Sequence, residues 1–170
     1  MANSVFELAR GMWTTIKSMF EKPITIQYPE VKRPVHTRFK GRHFLQRYDN
    51  GLERCIGCSL CSAACPADAI FVESAENTDE ERYSPGERYA STYEINMLRC
   101  IFCGYCEDAC PTQAIVLGDN YELSFKSRAD AIYTKERLLV PVKEGGMPTP
   151  QKTEPGVFIR SIPVMENPKD

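Results

Sequence analysis

Between Ser4 and Glu21 the apolar and polar positions of the chain separate cleanly on a helical wheel. At ~100° per residue, Val5, Phe6, Leu8, Ala9, Met12, Trp13, Ile16, Met19 and Phe20 fall within an arc of about 160°. Ser4, Glu7, Arg10, Gly11, Thr14, Thr15, Lys17, Ser18 and Glu21 fill the remainder. Ser4 and Glu7 have capping-box spacing and Pro23 supplies a stop, so an amphipathic helix is predicted over 4–21, inside an N-terminal segment 1–22. Pro23, Pro29 and Pro34 exclude a helix in the next stretch, and 23–51 is predicted as an extended basic segment ending in the turn Asp49-Asn50-Gly51. Short apolar runs at 69–72 and 114–117 and the alternating stretch 92–96 read as strands. Glu73 to Tyr89 reads as an acidic loop between two halves of a core at 52–120. A short C-terminal packing segment (121–140) and a Pro-rich extended tail (141–170) complete the chain; the tail is expected to be ordered only where something holds it.

Composition narrows the class. The chain has 170 residues and a formal net charge of −2, which does not point to nucleic acid as a partner. No secretory signal is visible at the start, and no run reaches the ~18 apolar residues of a membrane span. An intracellular, non-spanning chain is expected. In a reducing compartment its eight cysteines are expected to be thiolate ligands rather than disulfides.

All eight lie in two runs, Cys55, Cys58, Cys61, Cys65 and Cys100, Cys103, Cys106, Cys110. The likeness extends beyond them: Arg54, Ile56, Ala64, Pro66, Ala69 and Ile70 recur as Arg99, Ile101, Ala109, Pro111, Ala114 and Ile115. Such a repeat marks an internal duplication. Each run is C-x2-C-x2-C-x3-C-P, the known signature of two-cluster bacterial ferredoxins, in which the fourth cysteine serves the other cluster. Three cysteines on a tight loop reach three corners of one cube, and the fourth, about one helical turn (~6 Å) further on, points away. Two [4Fe–4S] clusters are expected: Cys55, Cys58, Cys61 and Cys110 for the first, Cys100, Cys103, Cys106 and Cys65 for the second. A structural zinc site prefers two knuckles joined by a long spacer, a poorer match. Clusters ligated wholly by cysteine leave no open position for substrate, so single-electron transfer is the chemistry and no residue is assigned as catalytic. The two histidines, His36 and His43, lie in the basic segment and are expected at a surface or interface. No Gly-rich nucleotide loop is present. The fold class expected is α+β: a bacterial-type two-[4Fe–4S] ferredoxin-like core with a pseudo-twofold repeat, plus the N-terminal helix and extended arms. A core of about 70 residues buries too little apolar surface to stand alone, so without iron and sulfide it is expected to unfold.

The stretches YPE (28–30), RFKGRH (38–43), NGLERCIGCSLC (50–61), CPADAI (65–70), ERYSPGERY (81–89), YEINMLRCIFCGYC (93–106) and CPTQAI (110–115) go further. Together they closely resemble the two-cluster ferredoxin-like subunit I of respiratory complex I, the proton-pumping NADH:quinone oxidoreductase. The resemblance covers roughly Phe20 to Val140, and all eight cysteines match the family's ligand positions. It implies a relay subunit that passes electrons from a flavin toward the last cluster, beside the quinone in a neighbouring subunit. It also implies the other subunits of complex I as partners, at the junction of peripheral and membrane arms. The place implied is the cell membrane, as a peripheral protein on the cytoplasmic side. In that setting the helix over 4–21 suits either the membrane surface or a groove on protein. The basic stretch Lys32, Arg33, Arg38, Lys40, Arg42, Arg47 suits anionic headgroups or acidic partners. A freely soluble ferredoxin and the equivalent subunit of a related membrane hydrogenase or formate-oxidising complex are the alternatives.

Overall fold

A computed structural model describes residues 2–152, which divide into two units, one up to His36 and one from Thr37 onward. The first unit carries helix α1, Ala2–Met19. It starts two residues earlier than the capping pattern predicts, so Ser4 lies inside the helix rather than at its cap. Phe20 N–H to Lys17 O (3.1 Å) and Glu21 N–H to Ser18 O (3.3 Å) tighten the last turn before Pro23 ends it. The side chains of residues 5–20 are exposed, the apolar ones included, with Val5, Phe6, Leu8 and Trp13 all about two-thirds accessible. Among the described residues no helix is long and apolar enough to cross a membrane.

The second unit is built on two small antiparallel sheets. β1 (His43–Leu45) pairs with β4 (Ile115–Leu117), and β2 (Ile70–Glu76) pairs with β3 (Arg88–Asn96), which also takes β5 (Ile132–Thr134). Each strand that follows a cysteine run thus pairs with a strand that precedes the other run. Single-turn helices α2 (Leu60–Ala63) and α3 (Tyr105–Asp108) sit within the two runs and pack on each other. Helix α4 (Lys135–Leu138) follows β5. The core gathers Leu45, Ile70, Tyr93, Ile95, Ile115, Leu117, Tyr133 and Leu138 around Cys61 and Cys106.

Three expectations shift. The stretch read as a wholly extended basic arm contributes β1 to the core, because His43 and Leu45 alternate inward while Phe44 does not. The loop read over 73–89 is shorter, since β2 runs to Glu76 and β3 begins at Arg88, with a register shift between Glu73 and Ser74. The remaining loop is organised by Asn77. Its side-chain amide donates to Ser84 O, Ser84 Oγ and Gly86 O (3.2, 2.8 and 2.8 Å), and its carbonyl accepts from Tyr83 N–H (2.9 Å). Of the tail, residues up to 152 are described: Met147 N–H bonds Asn50 O, Gln151 bridges Arg82, and Thr149 Oγ1 accepts from Arg47. The rest of the tail lies outside the described residues.

The cysteine loops owe their shape to left-handed backbone at matching places. Gly57 (φ 65°) corresponds to Phe102 (φ 54°), Ser59 (φ 59°) to Gly104 (φ 83°), and Asp68 (φ 45°) to Gln113 (φ 50°). Glycine occupies only one member of each of the first two pairs, so the conformation is imposed by the loop and not by glycine alone. At Gly57 the space is also closed: a Cβ would come within 2.7 Å of Tyr89 O and 2.9 Å of Ser74 Cβ.

Beside the first loop, Lys135 and Glu53 form a buried ion pair, Nζ to Oε2 2.8 Å, with Glu53 2% exposed. The contact is made by proximity, since Oε2 has no directed hydrogen bond; the ammonium donates instead to Ala90 O at 2.7 Å. The stacked rings of Tyr83 and Tyr89 face the same ammonium. Burial raises the Glu53 carboxyl, and Lys135, Arg47 and Thr149 oppose that rise.

Two variants test this frame. Lys135→Met strands the Glu53 charge and lowers stability by about 3–5 kcal/mol, and adding Glu53→Gln recovers much of the loss. Gly57→Ala forces a Cβ into left-handed backbone and against Tyr89 O, lowering stability by about 2 kcal/mol. Thermal unfolding of the anaerobically purified chain, followed by circular dichroism, reads both.

Candidate cluster-binding site

A cavity opens beneath the first cysteine loop, with ≈ 320 Å³ of empty space when the open solvent at its mouth is included. Its lining includes Cys55, Cys58 and Cys61 from the first run and Cys110 from the second, together with Tyr93, Thr112 and Ile115. Among the described residues no carboxylate, lysine or arginine lines it. Cys110 reaches it from the end of α3 and the chain then turns through Pro111 into β4, which carries Ile115 along the same wall.

The thiols feel one another in the same grouping. Burial, opposed by a hydrogen bond from Gly57 N–H and reinforced by Cys61, Cys110 and Glu53, pushes the Cys55 thiol up to about 12. Burial raises Cys61 too; its Tyr93 partner opposes, and Cys110 and Cys58 add to the rise. The second group shows the mirrored pattern. Burial raises Cys100, with Cys65 and Cys103 adding to it against the Phe102 N–H. Cys106 is pushed up to about 12 by burial, then by Cys100, Cys61 and Cys103. Cys65 therefore stands with the second run's thiols and Cys110 with the first's. Cys61 and Cys106, both buried, are where the two groups approach.

Backbone donors point at the sulfurs in both halves. Phe102 N–H reaches Cys100 Sγ at 3.4 Å, Ala69 N–H reaches Cys65 Sγ at 3.4 Å and Ala114 N–H reaches Cys110 Sγ at 3.1 Å. Left-handed Asp68 and Gln113 immediately precede the donating N–H groups of Ala69 and Ala114, and Phe102, the third donor, is itself left-handed. Among the described residues no three His, Cys, Asp or Glu side chains close on a single point as the ligands of one metal ion would. The thiols of the first group stand around a volume instead. A multi-iron cluster fits that donor set: four soft sulfur ligands, apolar walls, and N–H groups that offset negative charge. Burial raises the thiols of Cys55, Cys61, Cys100 and Cys106, so loading a cluster must release protons from them.

Two side chains beside the thiols were not predicted as part of the site. Tyr93, 1% exposed, lies 3.3 Å through its hydroxyl from Cys61 Sγ, and burial holds the phenol well above its ordinary range. The inward alternation of 92–96 was the signal for it. His43, expected at a surface or interface, is 1% exposed within the chain's own core, with Nε2 3.8 Å from Cys100 Sγ and its ring against Phe102. Burial lowers His43 to about 4, so its ring is neutral. His36 is exposed. The basic segment also touches the second run, where Lys40 Nζ lies 3.9 Å from Asp108.

Residues 54–121 match the family model of the 4Fe-4S dicluster domain, a span that holds all eight cysteines. The chain is also similar, at 29% identity, to a chain of the membrane-bound sulfane sulfur reductase, an archaeal respiratory membrane complex. That likeness covers 70% of this chain and 56% of the other, with a TM-score of 0.47. The 54–121 segment is accordingly a ferredoxin-type dicluster domain in a small mixed helix–strand unit, and electron transfer through iron–sulfur clusters is its chemistry.

Proposed function

We propose that this chain is an electron-relay subunit of a membrane-bound NADH:quinone oxidoreductase. Cys55, Cys58, Cys61 and Cys110 hold one [4Fe–4S] cluster; Cys100, Cys103, Cys106 and Cys65 hold the other. Each cluster, when bound, takes up and gives back one electron at a time. The chain's own residues do the rest. The eight thiolates fill every ligand position and so deny substrate a place on iron. Ile115, Leu45 and Val72 keep water from the first group's wall. The inward N–H groups of 69, 102 and 114 soften the charge added by reduction. Contact between α2 and α3, which carry Cys61 and Cys106, keeps the gap between the clusters short enough for an electron to cross.

The observation that carries the ligand assignment is the cavity shared by the first run's three cysteines and Cys110. The assignment to complex I is supported by the long motif likeness, above all YEINMLRCIFCGYC and ERYSPGERY. In that reading the partners are the neighbouring peripheral-arm and membrane-arm subunits, with the quinone close by. The exposed apolar face of α1 supports peripheral attachment to the membrane, and the cytoplasmic side follows from the complex I resemblance alone.

Two measurements test the proposal. The anaerobically reconstituted chain takes up about eight iron and eight sulfide, and its fully reduced EPR spectrum is broadened by spin coupling between two clusters. Extraction in mild detergent brings it down with an NADH- and flavin-binding subunit. An uptake near one iron overturns the cluster assignment, and recovery as a free protein in the soluble fraction overturns the membrane-complex reading.

A further inference from the structure

The two ligand groups are built from nearly the same loop, but one buried polar side chain beside each differs. Ala69 O accepts a hydrogen bond from Asn96 N–H (2.8 Å), and Ala114 O, at the same place in the second half, accepts one from Gln46 N–H (2.7 Å). Val72 is opposite Tyr93 in the β2–β3 ladder, and its counterpart Leu117 is opposite His43 in the β1–β4 ladder. His43 therefore occupies in one half the station that Tyr93 occupies in the other. Both are 1% exposed, and each approaches a cysteine of a different group: Tyr93 Oη to Cys61 Sγ, 3.3 Å, and His43 Nε2 to Cys100 Sγ, 3.8 Å.

The proton on His43 can be placed from its surroundings. Nδ1 is buried and has no hydrogen-bond partner. A proton there would orphan a donor and leave the Nε2 lone pair facing sulfur, which as a thiolate can only accept. A proton on Nε2 satisfies the contact and leaves only a bare acceptor behind. The ring is held in this orientation by Phe102, centroid to centroid 5.6 Å, whose own N–H also bonds Cys100 Sγ.

Building on the two-cluster reading, we propose that His43 is a tuning residue for the second cluster: its Nε2–H donates to the Cys100 thiolate and raises that cluster's reduction potential. The reduced cluster carries one more negative charge than the oxidised one, so a donor at a ligating sulfur stabilises it more. The couple involved is one electron in and one electron out; His43 keeps its proton and no bond is made or broken. Because the phenol of Tyr93 serves the first cluster at a shorter distance, the pair sets the two potentials apart in a chain whose ligand loops are otherwise matched. Sequence spacing alone hides this, since His43 and Tyr93 are not forty-five residues apart as the cysteines are.

The test is an anaerobic potentiometric titration of the full chain followed by EPR, comparing the parent with His43→Leu and His43→Gln. The second cluster is identified as the one whose signal is lost in Cys103→Ala. With iron and sulfide content unchanged, His43→Leu lowers the midpoint potential of that cluster alone, and His43→Gln, which keeps an N–H donor, restores most of it. An equal shift in both variants, a shift of the first cluster, or none overturns the proposal. Pulsed EPR on the parent labelled with 15N-histidine reads the contact without any substitution. A nitrogen coupling on the reduced second-cluster signal is expected, and its absence overturns the proposal even if His43→Leu does not fold. A parent chain that binds no clusters would instead overturn the two-cluster reading itself.

Discussion

The structure depends on a conflict between burial and ionisation at its cysteines. Folding draws thiols into an interior where burial opposes their negative charge, and Cys55 and Cys106 are pushed up to about 12. Yet thiolates are what bind iron. Only a positively charged inorganic core can reverse that preference, and its binding free energy then becomes folding free energy. The apolar residues arranged around Cys61 and Cys106 are short-stranded and few, which is why this unit is organised about its sulfurs and not about a large hydrocarbon core. Glu53, held in its buried pair with Lys135, adds its charge to those that raise the Cys55 thiol.

The same constraint explains the architecture. A loop that wraps three sulfurs around one cube needs left-handed residues at fixed places, and these recur in both halves whether or not glycine fills them. A fourth sulfur cannot come from the same loop without unwinding it, because the chain has already entered α2 or α3. On the proposed ligand assignment the other half supplies it. The exchange ties each strand after a run to a strand before the other run, so β1–β4 and β2–β3 stand in equivalent relation to the two groups. In the first group, Cys110 of the second run lines one cavity with Cys55, Cys58 and Cys61 of the first.

Much of this was legible in the sequence because cysteine spacing and duplication are discrete signals. A dicluster domain over 54–121 needs only the repeated cysteine motif, and α1 needs only its apolar stripe. Its start at Ala2 in place of Ser4 shows how weakly a capping pattern fixes a helix end when other residues can open the turn. β1 was hidden because three residues are too few to show alternation, and Arg42, Arg47 and Lys40 gave the stretch the look of a solvated arm. The polar end of β2 looked like loop because Glu73, Ser74 and Glu76 are exposed strand residues. His43 was read as a surface or interface residue because its burial depends on pairing with Leu117, a partner distant in the chain.

The exchange of the fourth thiolate is tested most directly by comparing residual EPR spectra of single alanine variants at four cysteines. The account predicts that the cluster surviving in Cys110→Ala is the one surviving in Cys58→Ala, and that the cluster surviving in Cys65→Ala is the one surviving in Cys103→Ala. If Cys110→Ala instead leaves the same cluster as Cys103→Ala, each run closes its own cluster and the account is contradicted.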